Sequence, residues 1–104
     1  MITKQQLYQG LKGVSGLPVA YHHFDNPPTI PFIVYMEVQK DRYVADNSVY
    51  FKKAKYRIEL YYEVINDELI EKIESYLDSK ELVWADGEEV YIEDEKLYMR
   101  SYYI

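Results

Sequence analysis

The sequence predicts an α+β fold in one domain spanning residues 1–104, with an antiparallel or mixed sheet of four to five strands, two helices packed on one face and a projecting β-hairpin arm. Two stretches are apolar and rich in strand-forming residues, one of them alternating apolar and polar residues with a period of two, and one strong helix pattern lies in mid-chain. A parallel sheet needs more helices between its strands, so this order favours the α+β class.

The first element is a short helix. Thr3 and Gln6 have the spacing of a capping box, in which each side chain satisfies a free backbone NH at the helix start. Leu7 and Leu11 then fall on one stripe. Glycine weakens a helix by about 1 kcal/mol per residue, so we expect this helix to end near Lys12 or Gly13.

Three strands follow. "LPVAYHHF" predicts the first, and the three prolines of "DNPPTIP" predict an irregular connection after it. "FIVYMEV" places Phe32, Val34, Met36 and Val38 on one face and Ile33, Tyr35 and Glu37 on the other, which is apolar enough for a central strand. "KAKYRIELYYEV" places Tyr56, Ile58, Leu60 and Tyr62 on a buried face, and Lys55, Arg57, Glu59 and Tyr61 on a wetted one.

The predicted arm comes from the length of the third strand. Its twelve residues exceed the usual strand of about 5 to 6. We therefore expect its first part, with the end of the preceding strand, to project past the core as a two-stranded arm with "DRYVADNSVY" at its tip.

The residues from Asn66 onward predict one helix and two or three strands. "NDELIEKIESYLDSK" has Asn66 or Asp67 as N-cap, acids in its first turn and an apolar stripe. "ELVWAD" and "GEEVYI" predict a hairpin about Asp86 and Gly87, with an irregular return as the alternative, and "KLYMRSYYI" predicts the last strand.

Composition excludes several classes of function. The net charge of −6 disfavours nucleic-acid binding, because phosphates are repelled. No apolar run is long enough to span a membrane, and the first residues lack the order of a signal peptide, so we expect a cytoplasmic protein. The absence of cysteine removes disulfides, thiolate nucleophiles and thiolate metal sites.

No motif predicts catalysis, a metal site or a cofactor. His22 and His23 are adjacent in a predicted strand and would point to opposite faces, so they cannot chelate one ion without a bend. Six acids between Asp86 and Glu95 lack the spacing of a calcium loop, which favours a solvated acidic rim. The thirteen tyrosines suit half-buried strand faces and protein contact surfaces.

The succession "GLPVAYHHF", "PPTIPFIVYMEV", "RYVADNSVY", "KYRIELYYEV", "NDELIEKIESYL" and "YIEDEKLYMRSYYI" resembles a family of phage and prophage proteins. These are the tail-completion or head-tail joining proteins, similar to tail terminators, of long-tailed phages of Gram-positive hosts. The resemblance implies a non-enzymatic structural protein that self-associates into a ring at the head-proximal tail end. Its implied partners are the tail tube protein and head-tail connector proteins, and its implied location is the host cytoplasm during assembly and then the virion tail.

On this interpretation residues 42–50 form an assembly loop that is mobile in the monomer and ordered in the ring. Tyr43 and Tyr50 would anchor in pockets of the next subunit, Arg42 would pair with an acid there, and Asp46 and Asn47 suit the arm's tip. The candidate interface residues are Arg42, Tyr43, Val44, Asp46, Asn47 and Tyr50. The alternative is a surface loop without a partner, and the rival function is a small ligand-binding domain or enzyme with a pocket of tyrosines and carboxylates.

Overall fold

The computed structural model describes the backbone of residues 2–26, 28–45 and 48–104, and the side chains of residues 2–26, 28–38 and 55–104. The elements, in chain order, are α1 (Lys4–Ser15), β1 (Val19–Tyr21), β2 (Phe32–Ala45), β3 (Ser48–Tyr62), α2 (Asp67–Ser79), β4 (Ala85–Ile92) and β5 (Leu97–Tyr103). This is the predicted order of helix, three strands, helix and two strands.

The five strands form one mixed sheet in the order β1-β2-β3-β5-β4. β1 runs parallel to β2, and the other three pairings are antiparallel. The α+β class and the mixed five-stranded sheet are therefore confirmed.

One face of the sheet, called here the inner face, carries the core and both helices. Tyr56, Ile58, Leu60 and Tyr62 of β3 are buried, as their spacing predicts. They share one apolar cluster with residues from α1 and α2, among them Leu7, Leu11, Leu69, Ile73 and Leu77. Because both helices contribute to the same cluster, both lie on the inner face.

α1 starts as predicted and ends later than predicted. The capping box of Thr3 and Gln6 is present. The helix continues to Ser15, past the expected end at Lys12 or Gly13, and Gly16 closes it with φ of 69°. Glycine takes this left-handed conformation without the steric cost that a Cβ brings, so Gly16 is the glycine that ends the helix.

α2 is capped by Asn66, one of the two predicted N-caps. Its side chain accepts a hydrogen bond from the Leu69 backbone NH at 3.1 Å. Asp67 and Glu68 occupy the first turn, where the positive end of the helix dipole stabilises their carboxylates.

A polar group on the inner face joins α2 to β5. Tyr102 is fully buried, and its hydroxyl donates to Glu74 Oε2 at 2.8 Å. The same hydroxyl accepts from Arg100 Nε at 3.0 Å. Arg100 Nη2 also lies 3.5 Å from Asp86 Oδ2. Through Tyr102 and Asp86, Arg100 therefore joins β5 to α2 and to β4.

Two predictions for strands are wrong. β1 stops at Tyr21 and does not include His22 and His23, because His22 turns the chain with φ of 71°. There is no hairpin about Asp86 and Gly87: both residues lie within the single strand β4, at a register shift between Asp86 and Glu89. The turn instead follows Ile92, before β5.

β2 and β3 form the hairpin that carries the predicted arm. Their register runs from the pair Phe32 and Tyr61 to the pair Ala45 and Ser48. β1 pairs with residues 33–35 of β2, and β5 pairs with residues 57–62 of β3. That the far end of this hairpin projects as an arm remains a prediction.

None of the helices in the described part of the chain is long and apolar enough to cross a membrane.

Candidate functional site

The candidate site lies on the outer face, which is the side of the sheet opposite the helices. Because side chains alternate along a strand, the residues next to each core position point to this side. Those in the described parts of β2, β3 and β5 are Phe32, Val34, Met36, Lys55, Arg57, Glu59, Tyr61, Leu97, Met99, Ser101 and Tyr103. Most of these residues are apolar, although both helices pack on the opposite, inner face.

Aromatic rings line one end of the outer face. Phe32 and Tyr61 are paired across β2 and β3 and their rings stack, with centroids 4.9 Å apart. Phe24, from the connection between β1 and β2, meets Phe32 edge to face at 5.3 Å. These contacts fix a row of three rings, which is the kind of rigid apolar surface that protein interfaces use.

Next to this row lies a buried carboxylate. Glu59 is only 8% exposed. Its Oε1 accepts a hydrogen bond from the Tyr61 hydroxyl at 3.0 Å, and its Oε2 lies 3.1 Å from Arg57 Nε, an ion pair without hydrogen-bond geometry. Arg57 Nη2 also approaches Met36 Sδ at 3.2 Å. The carboxylate is thus compensated within the sheet.

These contacts change the acidity of Tyr61. Burial, followed by the charge of Glu59 and the hydrogen bond to it, raises the pKa of Tyr61 from 10.0 to about 12. The hydroxyl therefore keeps its proton, and its hydrogen bond to Glu59, to a higher pH than an unperturbed tyrosine would.

A cleft of about 720 Å³ opens beside the aromatic row. We call it the outer-face cleft. Strand residues on its walls are Phe32, Val34, Tyr61 and Leu97. The other walls come from the irregular connection between β1 and β2 and from two acids beyond strand ends, namely His22, His23, Phe24, Pro28, Thr29, Ile30, Glu63 and Glu95.

The cleft carries an excess of negative charge. Glu63 and Glu95 are exposed, and neither forms an ion pair with a residue that the structure describes. Among the side chains that the structure describes, no lysine or arginine lines the cleft. Its floor is therefore apolar and aromatic, and its rim is negatively charged.

The two histidines lie together at the rim, which corrects the expectation that they point to opposite faces. Because the chain turns at His22, their rings meet edge to face and their Nδ1 atoms are 3.3 Å apart. His23 Nε2 lies 3.3 Å from Asp25 Oδ1. Among the side chains that the structure describes, no group of three or more histidine, aspartate or glutamate side chains is placed to hold a metal ion.

The predicted interface residues fall on the hairpin of β2 and β3. Arg42, Tyr43 and Val44 belong to β2 and Tyr50 to β3 by their backbone, and their side chains lie outside the described residues. Asp46 and Asn47 lie outside the described residues altogether. Their role in an interface is therefore still a prediction.

The outer-face cleft was missed in the sequence, although one signal for it exists. "FIVYMEV" is apolar at Phe32, Val34 and Met36 as well as on the opposite face. A strand of an antiparallel sheet with one wetted side carries polar residues there. Apolar residues on both sides therefore indicate a second surface that excludes water.

No protein-family model matches the chain, and no curated protein sequence matches it.

Proposed function

We propose that this protein is a structural component of a phage or prophage, acting in tail completion or head-tail joining through protein-protein contacts. The proposal includes self-association into a ring at the head-proximal end of the tail, with contacts to the tail tube protein and to head-tail connector proteins. It places the protein in the host cytoplasm during assembly and in the virion tail afterwards.

The observation that carries the proposal is the outer face of the sheet. Both helices pack on the inner face, while the outer face presents the aromatic row, the cleft and an acidic rim. A largely apolar and pre-formed surface of this kind is suited to contact with another polypeptide. The kind of assembly, a phage tail, is inferred from the sequence resemblance.

Deleting the gene from the phage or prophage that carries it tests the proposal. We expect cells without it to accumulate heads and tails that are not joined, and a plasmid copy of the wild-type chain to restore tailed particles in electron micrographs. A plasmid copy with an early stop codon is the matched control. Normal yields of complete tailed particles from the deletion strain would contradict the proposal.

The same micrographs separate the two roles within the proposal. A protein that stops tube growth leaves tails of abnormal length when it is absent. A connector between tail and portal leaves tails of normal length without heads. Tail length is therefore measured in the deletion strain, and it distinguishes tail termination from head-tail joining.

The second candidate is a small ligand-binding domain or enzyme, which the size of the cleft favours. About 720 Å³ falls within the range of about 300–1,000 Å³ typical of small-molecule pockets. Tyr61, Glu63 and Glu95 would supply its polar contacts. A small molecule that raises the melting temperature of the wild-type chain, and not that of a Phe32→Ala variant with normal circular dichroism, would favour this candidate.

A further inference from the structure

We infer that the outer-face cleft receives the basic end of the β2–β3 hairpin from a second copy of this chain. The inference rests on the proposed ring assembly and adds to it the two surfaces that meet. It commits to a head-to-tail contact in which every copy offers one cleft and one hairpin.

Charge is distributed unevenly along the chain. Residues 39–54 contain four basic side chains, Lys40, Arg42, Lys52 and Lys53, and two acidic ones, Asp41 and Asp46. The remaining residues contain eight basic and sixteen acidic side chains. The hairpin segment is thus positive on a protein that is negative elsewhere, and opposite charges steer two such surfaces together.

The chemistry of the cleft is complementary to this segment. Its rim carries Glu63 and Glu95, which have no ion pair among the described residues, and its floor carries the stacked rings of Phe32 and Tyr61. The segment supplies lysine and arginine together with Tyr43, Tyr50 and Phe51. Basic groups can pair with the rim while aromatic groups contact the floor.

The two surfaces lie at opposite ends of one strand. Phe32, in the cleft, begins β2, and Ala45, thirteen residues further along, ends it. At about 3.3 Å per residue, these ends are on the order of 40 Å apart, so the far end of the hairpin cannot reach the cleft of its own chain. A contact between two different patches is heterologous, and it generates a closed ring when the rotation between copies closes.

The first experiment measures self-association of the full chain by analytical ultracentrifugation over a range of concentrations. Glu63→Lys with Glu95→Lys reverses the charge of the rim, and we expect it to raise the dissociation constant at least about tenfold. Glu71→Lys with Glu88→Lys is the matched control, because both acids are exposed, lie outside the cleft and form no ion pair among the described residues. The control should associate like the wild type.

The second experiment uses cross-linking, which is clean because the natural sequence contains no cysteine. A chain with Thr29→Cys, on the cleft wall, is mixed with a chain with Ser48→Cys, at the start of β3, and oxidised. We expect a disulfide-linked dimer of the two different chains. Ser75→Cys on α2 replaces Thr29→Cys in the control mixture and should give no such dimer.

Three results would overturn the inference: a wild type that stays monomeric at all concentrations, a cleft variant that associates like the wild type, or equal cross-linking from Thr29→Cys and Ser75→Cys. These are independent of the tail phenotype. If the wild type associates but the cleft variant or the cross-link contradicts this contact, while the deletion strain still lacks joined particles, only the inference is wrong. If the contact holds while the deletion strain makes normal particles, only the phage function is wrong.

Discussion

The phenol ring of Tyr76 on α2 occupies the space above Gly10 of α1, where any Cβ would overlap its hydroxyl and ring carbons. The two helices approach each other at this glycine because residue 10 has no side chain. Gly10 therefore leaves room for the Tyr76 ring, although glycine lowers the intrinsic stability of the helix.

We predict that Gly10→Ala destabilises the fold. Alanine favours a helix over glycine by about 1 kcal/mol, but overpacking a close contact costs about 1–3 kcal/mol, so we expect a net loss of up to about 2 kcal/mol. Gly13→Ala is the control, because a Cβ there meets nothing within 4 Å. Urea unfolding should show Gly13→Ala to be stabilising or neutral; equal stabilisation by both changes would contradict the prediction.

We predict that Tyr102→Phe costs about 1–3 kcal/mol of unfolding free energy, because Glu74 and Arg100 lose the hydroxyl that joins them. Tyr103→Phe removes the same atom from the next residue, whose side chain is 43% exposed. Thermal unfolding should leave that variant at the wild-type melting temperature. An unchanged stability of Tyr102→Phe, or an equal loss from Tyr103→Phe, would contradict the prediction.

Alkaline pH should weaken the fold through Tyr61. Its pKa is about 12 in the folded chain against 10.0 for an unperturbed tyrosine, so the folded state binds the proton more tightly. The stabilisation is complete below about pH 10 and is lost as pH rises from there through about 12. Urea titrations at several pH values should show a shallower decline for Tyr61→Phe; an identical pH dependence would refute this role.

Tyr43→Ala combined with Tyr50→Ala should leave the melting temperature nearly unchanged and weaken association with a second copy or a partner. The reason is that both tyrosines are predicted to contact another chain rather than the core. Sedimentation measures the association, and Tyr103→Ala is an exposed control outside residues 42–50. A double variant that unfolds would place these rings in the core instead.

The assembly loop prediction also has a direct measurement. Residues 42–50 should exchange their amide hydrogens faster in the dilute monomer than in the assembled protein. Exchange in the monomer as slow as in Ile58 and Leu60 of the central strand would contradict it.

The fold was largely predictable because its signals are local. Alternation in β3 placed Tyr56 and Leu60 in the core, and Asn66 was one of two predicted caps for α2. The hairpin predicted at Asp86 and Gly87 was wrong because this pair, although a common turn signal, lies within β4. In the structure a Cβ at Gly87 would lie only 2.7 Å from Ser101 Cβ, so this glycine allows close approach of β4 to β5.

The candidate site was harder to predict because it is assembled from distant segments. Arg57, Glu59 and Tyr61 alternate along one strand, as predicted, but their spacing alone does not show that Glu59 is buried. The cleft brings His22, Phe32 and Glu95 together from three parts of the chain. Spacing within one segment carries no information on such a meeting.

The irregular register of β4 is relevant to aggregation of the protein at high concentration. β4 forms one margin of the sheet, and its pairing with β5 shifts between Asp86 and Glu89. A bulged margin that also bears carboxylates is a poor template for another strand. Open-ended stacking into amyloid-like fibres is therefore disfavoured at this margin.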